Sequence, residues 1–238
     1  MLWYKAWLET RSRFLVALCG STALCAYHVY AGNREALPDT ALSYYNHVLH
    51  SGHAELCLLW VLSVTLLIMG GLLREKAAGA AALTLSLPVS RTRLMAVRIC
   101  VGLIQAIALA IFPWCAMLIV ATATGKCYSV SQAWFHVVLL LGGGLIVFGI
   151  ALLVSSFVEG EYTAPIVSLG IVLAMGFLFA DRSPQGTNPI VALDGFRYLD
   201  RSTHLLVGPI PWMRLATNVC ITAALILASL RAMNRREF

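Results

Sequence analysis

The chain has 238 residues, 60% of them hydrophobic and 12% charged, with a net charge of +6 and a mean hydropathy of +0.81. A soluble domain carries about 25% charged residues, so water cannot be the solvent for most of this surface and lipid must take its place. The length suits a single membrane domain over residues 1–238, and the cations sit at the edges of apolar runs rather than on a basic face, which excludes nucleic acid as a partner.

The first element is MLWYKAWLETRSRF. Trp3, Trp7 and Leu8 share one helical face, with Lys5, Glu9 and Arg13 elsewhere. The stretch reads as an amphipathic helix lying in the headgroup region, or equally as the aromatic-belt end of the first crossing. A crossing needs about 20 apolar residues. Six runs meet that demand: Phe14–Ala31, Ala54–Leu73, Arg98–Thr122, Ala133–Phe157, Tyr162–Ala180 and Pro211–Leu230. The first has a basic start but no clean cleavage site, so it is expected to be retained. Backbone groups in lipid must bond internally, and short alternating strands are missing, so the fold class is all-α integral membrane with six transmembrane helices.

Between the first two runs, His47, His50 and His53 recur beside Glu55. Six residues separate the outer histidines by about 120° around a helix, so a hydrated interfacial loop is preferred to a metal site. Glu55 then stands at the outer end of the second crossing, as an interfacial cap or part of a pathway. Gln105, inside the third, suits an interhelical hydrogen bond, with a pathway role as the alternative. His28 and His136 fall near outer boundaries and read as interfacial. Pro113 should kink the third crossing, Gly142, Gly143, Gly144 and Gly149 allow close packing of the fourth, and Pro165 is tolerated in the first turn of the fifth. The polar segment Asp181–Pro209 carries apolar islands at Ile190–Leu193 and Phe196–Leu199, which favour a re-entrant cap over an ordinary surface loop. Seven cysteines, odd in number and without a CxxC, argue against a disulfide framework or zinc site.

Cations set the orientation. With the N-terminus inside, eleven of the 17 Lys and Arg lie in cytoplasmic segments and six outside, and both termini are cytoplasmic. Only the loop Ser155–Glu161 departs from the trend, holding Glu159 and Glu161 and no cation. The longest inside loop is LLREKAAGAAALTLSLPVSRTRLMAVRI, Leu72 to Ile99. Arg74, Glu75 and Lys76 mark the exit from lipid, and Ala77–Leu83 is strong helix-forming sequence broken only by Gly79. Pro88 ends that helix, and Ser90 fits the N-cap of the next.

This loop resembles the one between the second and third helices of ATP-binding-cassette permeases of the type-2 export class. Arg74, Glu75, Lys76 and Gly79, then Leu87, Pro88, Val89, Ser90 and Arg91, match that family's R-E-K-x-x-G opening and L-P-V-S-R close. The resemblance implies a cytosolic coupling helix gripped by a separate ATPase subunit, with ATP and magnesium bound there and no cofactor in this chain. It also implies short re-entrant outer helices, pairing with a second half-permease, alternating access, export, and a home in a bacterial inner membrane; the mostly apolar helices favour an amphiphilic or hydrophobic cargo over a small ion. No phosphate-binding G-x-x-x-x-G-K-[ST] occurs, so the chain is expected not to be an enzyme. A gradient-driven carrier ranks second, because it would want carboxylates at mid-membrane and no run has one at its centre. A non-transporting anchor or assembly protein ranks third.

Overall fold

The structure is a computed structural model, and it describes residues 2–34, 41–68, 90–125, 130–158, 162–180, 190–191 and 209–235. These residues hold six α-helices and no strand. They are α1 (Leu2–Arg34), α2 (Ala41–Leu67), α3 (Arg91–Ala123), α4 (Val130–Phe157), α5 (Thr163–Ala180) and α6 (Trp212–Arg235). Four helices, α1, α3, α4 and α6, are long and apolar enough to cross a membrane. The described apolar parts of α2 and α5 are shorter, Gly52–Leu67 and Thr163–Leu178.

α1 is one unbroken helix of 33 residues. The amphipathic N-terminal stretch and the first crossing are therefore continuous, and the separate interfacial helix that the tryptophans suggested is replaced by extra turns at the start of α1. The helix needs no break there, because Thr10 turns its hydroxyl back onto the Ala6 carbonyl at 3.1 Å and Trp7 packs edge-on against Phe14 at 5.6 Å. α3 also starts earlier than its apolar run. Ser90 is its N-cap, accepting a bond from the Arg93 amide at 3.3 Å, which satisfies one of the donors a helix start leaves open. At the far end Gly125 takes φ 74°, the left-handed conformation that stops a helix at low cost for glycine. α3 stays helical through Pro113.

α4 is the central helix, packed against α2, α3, α5 and α6, while α1 lies on α2 and α3. The lipid-facing side is set by exposed apolar groups such as Val16, Ile119, Ile166, Phe177 and Met213. Lipid tails are as apolar as these side chains, so close packing rather than exclusion from water must hold the helices together. The glycines of α4 supply it. A Cβ on Gly142 would lie 2.7 Å from Leu215 of α6, one on Gly149 would lie 3.0 Å from Leu225, and one on Gly144 would collide with the Trp60 ring of α2. Lower on the same face of α4, the Ser156 and Ser229 hydroxyls meet at 2.5 Å, both buried. These pairings make α4 and α6 parallel. Met95 at the start of α3 packs against Met233 at the end of α6, and Ala6 at the start of α1 packs with Val97 and Val101 of α3, so the described beginning and end of the chain lie at one end of the bundle.

Beyond α5, Ile190 and Val191 are fully buried: Ile190 joins the main core, and Val191 packs with Leu139 and Leu215. The remainder of the re-entrant expectation for Asp181–Pro209, apart from Pro209, lies outside the described residues.

Candidate functional site

The start of α1 and the start of α3 carry charges that a lipid-facing helix would shed. Glu9 and Arg98 each sit about two turns into their helix, and the two helices run parallel, so the side chains meet at the same height. Arg98 donates from Nη2 to Glu9 Oε2 at 2.6 Å, with the Arg98 side chain 16% exposed and that of Glu9 31%. Lys5 stands 3.9 Å from the other Glu9 oxygen. Deeper in, Gln105 donates from Nε2 to the Thr10 hydroxyl at 2.7 Å. Gln105 is 2% exposed, and its Oε1 has no hydrogen-bond partner among the described residues. Arg98 and Gln105, seven residues apart, place two polar ties to α1 two turns apart on α3, with Val97 and Val101 packed on Ala6 beside them. Beside these bonds lies a cavity of about 50 Å³, closed across from α1 and α3 by Leu67 and Ile68 of α2 and by Phe148, Leu152 and Ser155 of α4.

From mid-height to the opposite end, the helices interlock instead. The Trp60 indole donates to the Ala106 carbonyl of α3 at 3.0 Å while its ring fills the notch at Gly144 of α4. Further along, His136 of α4 stacks on Trp114 of α3 with centroids 4.5 Å apart, and His53 of α2 meets His136 edge-on at 4.9 Å. His136 bonds through Nδ1 to the Gln132 carbonyl at 2.7 Å. His53 Nε2 faces the Cys57 sulfur at 3.7 Å. His28 of α1 reaches Glu55 of α2 at 3.0 Å, and its ring lies against Gly52, where a side chain would crowd it.

An open groove of about 460 Å³ runs along α1 and α2. Its walls are mainly apolar, with Val16, Ala17, Leu59, Leu62 and Leu66, and Ser12 and Arg13 stand at its N-terminal end.

The sequence-selected residues divide three ways. Arg74, Glu75, Lys76, Gly79, Leu87, Pro88 and Val89 lie outside the described residues, and so does the side chain of Arg91; Ser90 is the α3 cap. Glu55 is tied to His28 of α1 and Gln105, near the middle of α3, is tied to Thr10 of α1, so they share no site. His53 is buried against Trp114 and His136, whereas Glu55 is 55% exposed and faces α1, so the two do not converge on one point. Among the described residues no group of three or more His, Cys, Asp or Glu is placed to hold a metal ion.

His28 and His136, read from the sequence as interfacial, are 7% and 0% exposed and lie between helices. The Glu9–Arg98 tie escaped the sequence reading altogether. Its only signal was an acid and a base, each near the first turns of a long run, and nothing in one sequence paired them.

A family model described as ABC-2 family transporter protein matches residues 44–193, well over half the chain, from within α2 to beyond α5 and including residues 69–89. No curated protein and no solved structure matches.

Proposed function

The chain belongs to the ABC-2 family of transporter proteins and is a membrane permease of an ABC transporter; from that premise we propose that it is one half of an ATP-driven exporter. Hydrolysis belongs to a separate ATPase subunit, which binds ATP and magnesium. The end of the bundle where α1 and α3 begin faces the cytoplasm, because eleven of the 17 cations then lie inside. Both termini follow, since the described starts and ends of the chain share that end. The cell membrane of a bacterium is the natural setting for such a bundle.

The observation that carries this reading is the coupling-type motif, Arg74 to Arg91, lying inside the matched stretch and between α2 and α3. Glu75 and Arg74 offer polar contacts to the ATPase and Leu87 an apolar anchor, while Lys76, Gly79, Pro88, Val89, Ser90 and Arg91 shape the helix and its re-entry. Closure of two ATPase subunits pulls the loops of two permease copies and turns the pair outward, a rigid-body form of alternating access. The mainly apolar groove along α1 and α2, with an arginine at its cytoplasmic end, supports an amphiphilic or hydrophobic cargo.

Co-expression with the cognate ABC ATPase tests the proposal. The wild-type chain should retain the ATPase through purification and raise its magnesium-dependent hydrolysis, and changing Glu75→Ala together with Leu87→Ala should abolish both. An ATPase that never associates with the wild-type chain would sink the reading; one that ignores the double change would displace the contact from this loop.

A further inference from the structure

The coupling loop enters the bundle at two places, and these are the two walls of one cavity. Its upstream side leaves from Leu67 and Ile68 of α2, and its downstream side enters α3 at the Ser90 cap, one to two turns before Met95 and Arg98. All four of these lining residues face the 50 Å³ space. Interiors at native density transmit a push because they cannot compress. A void at this point is where one packed unit has room to shift against another.

The bonds around the void are not evenly spread. On one side α1 and α3 are joined by Arg98–Glu9 at 2.6 Å and Gln105–Thr10 at 2.7 Å, with Ala6, Val97 and Val101 packed between them. Across it, α2 and α4 present mainly apolar groups, Leu67, Ile68, Phe148 and Leu152, with Ser155 already bonded to the Leu152 carbonyl. Mid-height and beyond, α2, α3 and α4 are locked by Trp60 to Ala106 and Gly144, and by the stack of His53, His136 and Trp114. α2, α3 and α4 are thus pinned to one another from the middle outward; at the cytoplasmic end the hydrogen bonds around the void join α3 to α1, while α6 is held to α4 by Ser156–Ser229 and meets α3 through the apolar Met95–Met233 contact.

We propose that α1 and α3 move as one lever about the Trp60 pin, and that Glu9 and Arg98 are the positioning residues that make α1 follow when the loop pulls α3. This rests on the ATPase-coupled reading above and deepens it by naming how the stroke leaves the loop. Glu9 and Arg98 touch neither cargo nor nucleotide. Their charge-assisted bond has low exposure on the Arg98 side, where loss of one partner leaves a charge in poor surroundings, so the pair holds under load better than an apolar contact between the same helices.

Cysteine pairs in the full chain, with its native cysteines replaced and its ATPase bound, read the motion directly. The pair Ala6→Cys with Val101→Cys spans α1 and α3 inside the lever. The pair Ile99→Cys with Leu152→Cys spans the cavity between α3 and α4. A short bifunctional thiol reagent should link the first pair equally with and without ATP and vanadate. Linking of the second pair should change by at least about five-fold between those states, the lower end of ordinary coupling strengths. Arg98→Gln should make the first pair state-dependent and lower ATPase stimulation, and Arg98→Lys should restore both, which a purely structural loss would not show. A cavity pair that does not respond in the ATPase-bound wild type, or an Arg98→Gln chain in which the first pair still links equally in both states, overturns the lever. Failure of the wild type to bind an ATPase overturns the reading beneath it and is seen at purification, before any linking is measured.

Discussion

Trp60 illustrates how single residues fix this bundle. Its indole nitrogen holds a carbonyl of α3 while its ring occupies the space that a side chain on Gly144 would need. The two roles separate by mutation. Trp60→Phe loses one interhelical hydrogen bond, worth about 0.6 kcal/mol on average between membrane helices. Gly144→Ala forces the ring or the helix to shift, at about 1–3 kcal/mol for an overpacked site. Combined, they should cost less than the sum, because the smaller ring relieves the clash; unfolding of the detergent-solubilised protein in a double-mutant cycle measures the coupling. Strictly additive losses would mean that the ring and the glycine do not meet. At this scale the sequence told depth but not direction. His28 and His136 stand near the ends of their runs, as read, yet which way each faces depends on helix rotation set by neighbours such as Gly52 and Trp114. Gln105 and Thr10 are 95 residues apart, and no spacing rule connects them.

Among elements, α4 and α6 show what small residues achieve in lipid. Gly142 and Gly149 admit Leu215 and Leu225, and the approach ends in the Ser156–Ser229 contact. Ser156→Cys with Ser229→Cys, in a chain without its native cysteines, should form a disulfide on mild oxidation in membranes, given oxygens 2.5 Å apart in the parent. Either change alone should give no internal link on a non-reducing gel, and a double variant that stays reduced would refute the parallel α4–α6 register. The existence of each helix was legible because hydrocarbon demands a long apolar run with its bonds satisfied internally. The ends were not. Outside the hydrocarbon, polar turns stay helical when capped or cross-tied, as Ser90 and Arg98 allow α3 to begin at Arg91. The N-terminal tryptophans likewise mark an interface without saying whether the helix breaks there, and α1 continues as one helix.

For the whole molecule, the packing of Ala6 on Val97 and Val101 and of Met95 on Met233 puts the described beginning and end of the chain at one end of the bundle. Impermeant thiol labelling of single cysteines at Tyr4 and Arg231, in right-side-out and inverted vesicles, should therefore give one answer for both positions; opposite answers would mean an odd number of crossings between them. The family could be read from the Arg74–Arg91 motif before any helix was placed, because that motif is specific in its side chains, whereas generic crossings need only apolarity. What the sequence withheld was the distribution of stiffness, since that follows from cross-ties between distant segments. α1 and α3 are each 33 residues long, about 50 Å, against a hydrocarbon layer of about 30 Å. The surplus carries Glu9 and Arg98 near the headgroups. A thicker bilayer, rich in sterol or long acyl chains, would draw that ion pair toward the oil and tax its separation from water, so the host membrane's thickness becomes a setting on how firmly the two helices are yoked.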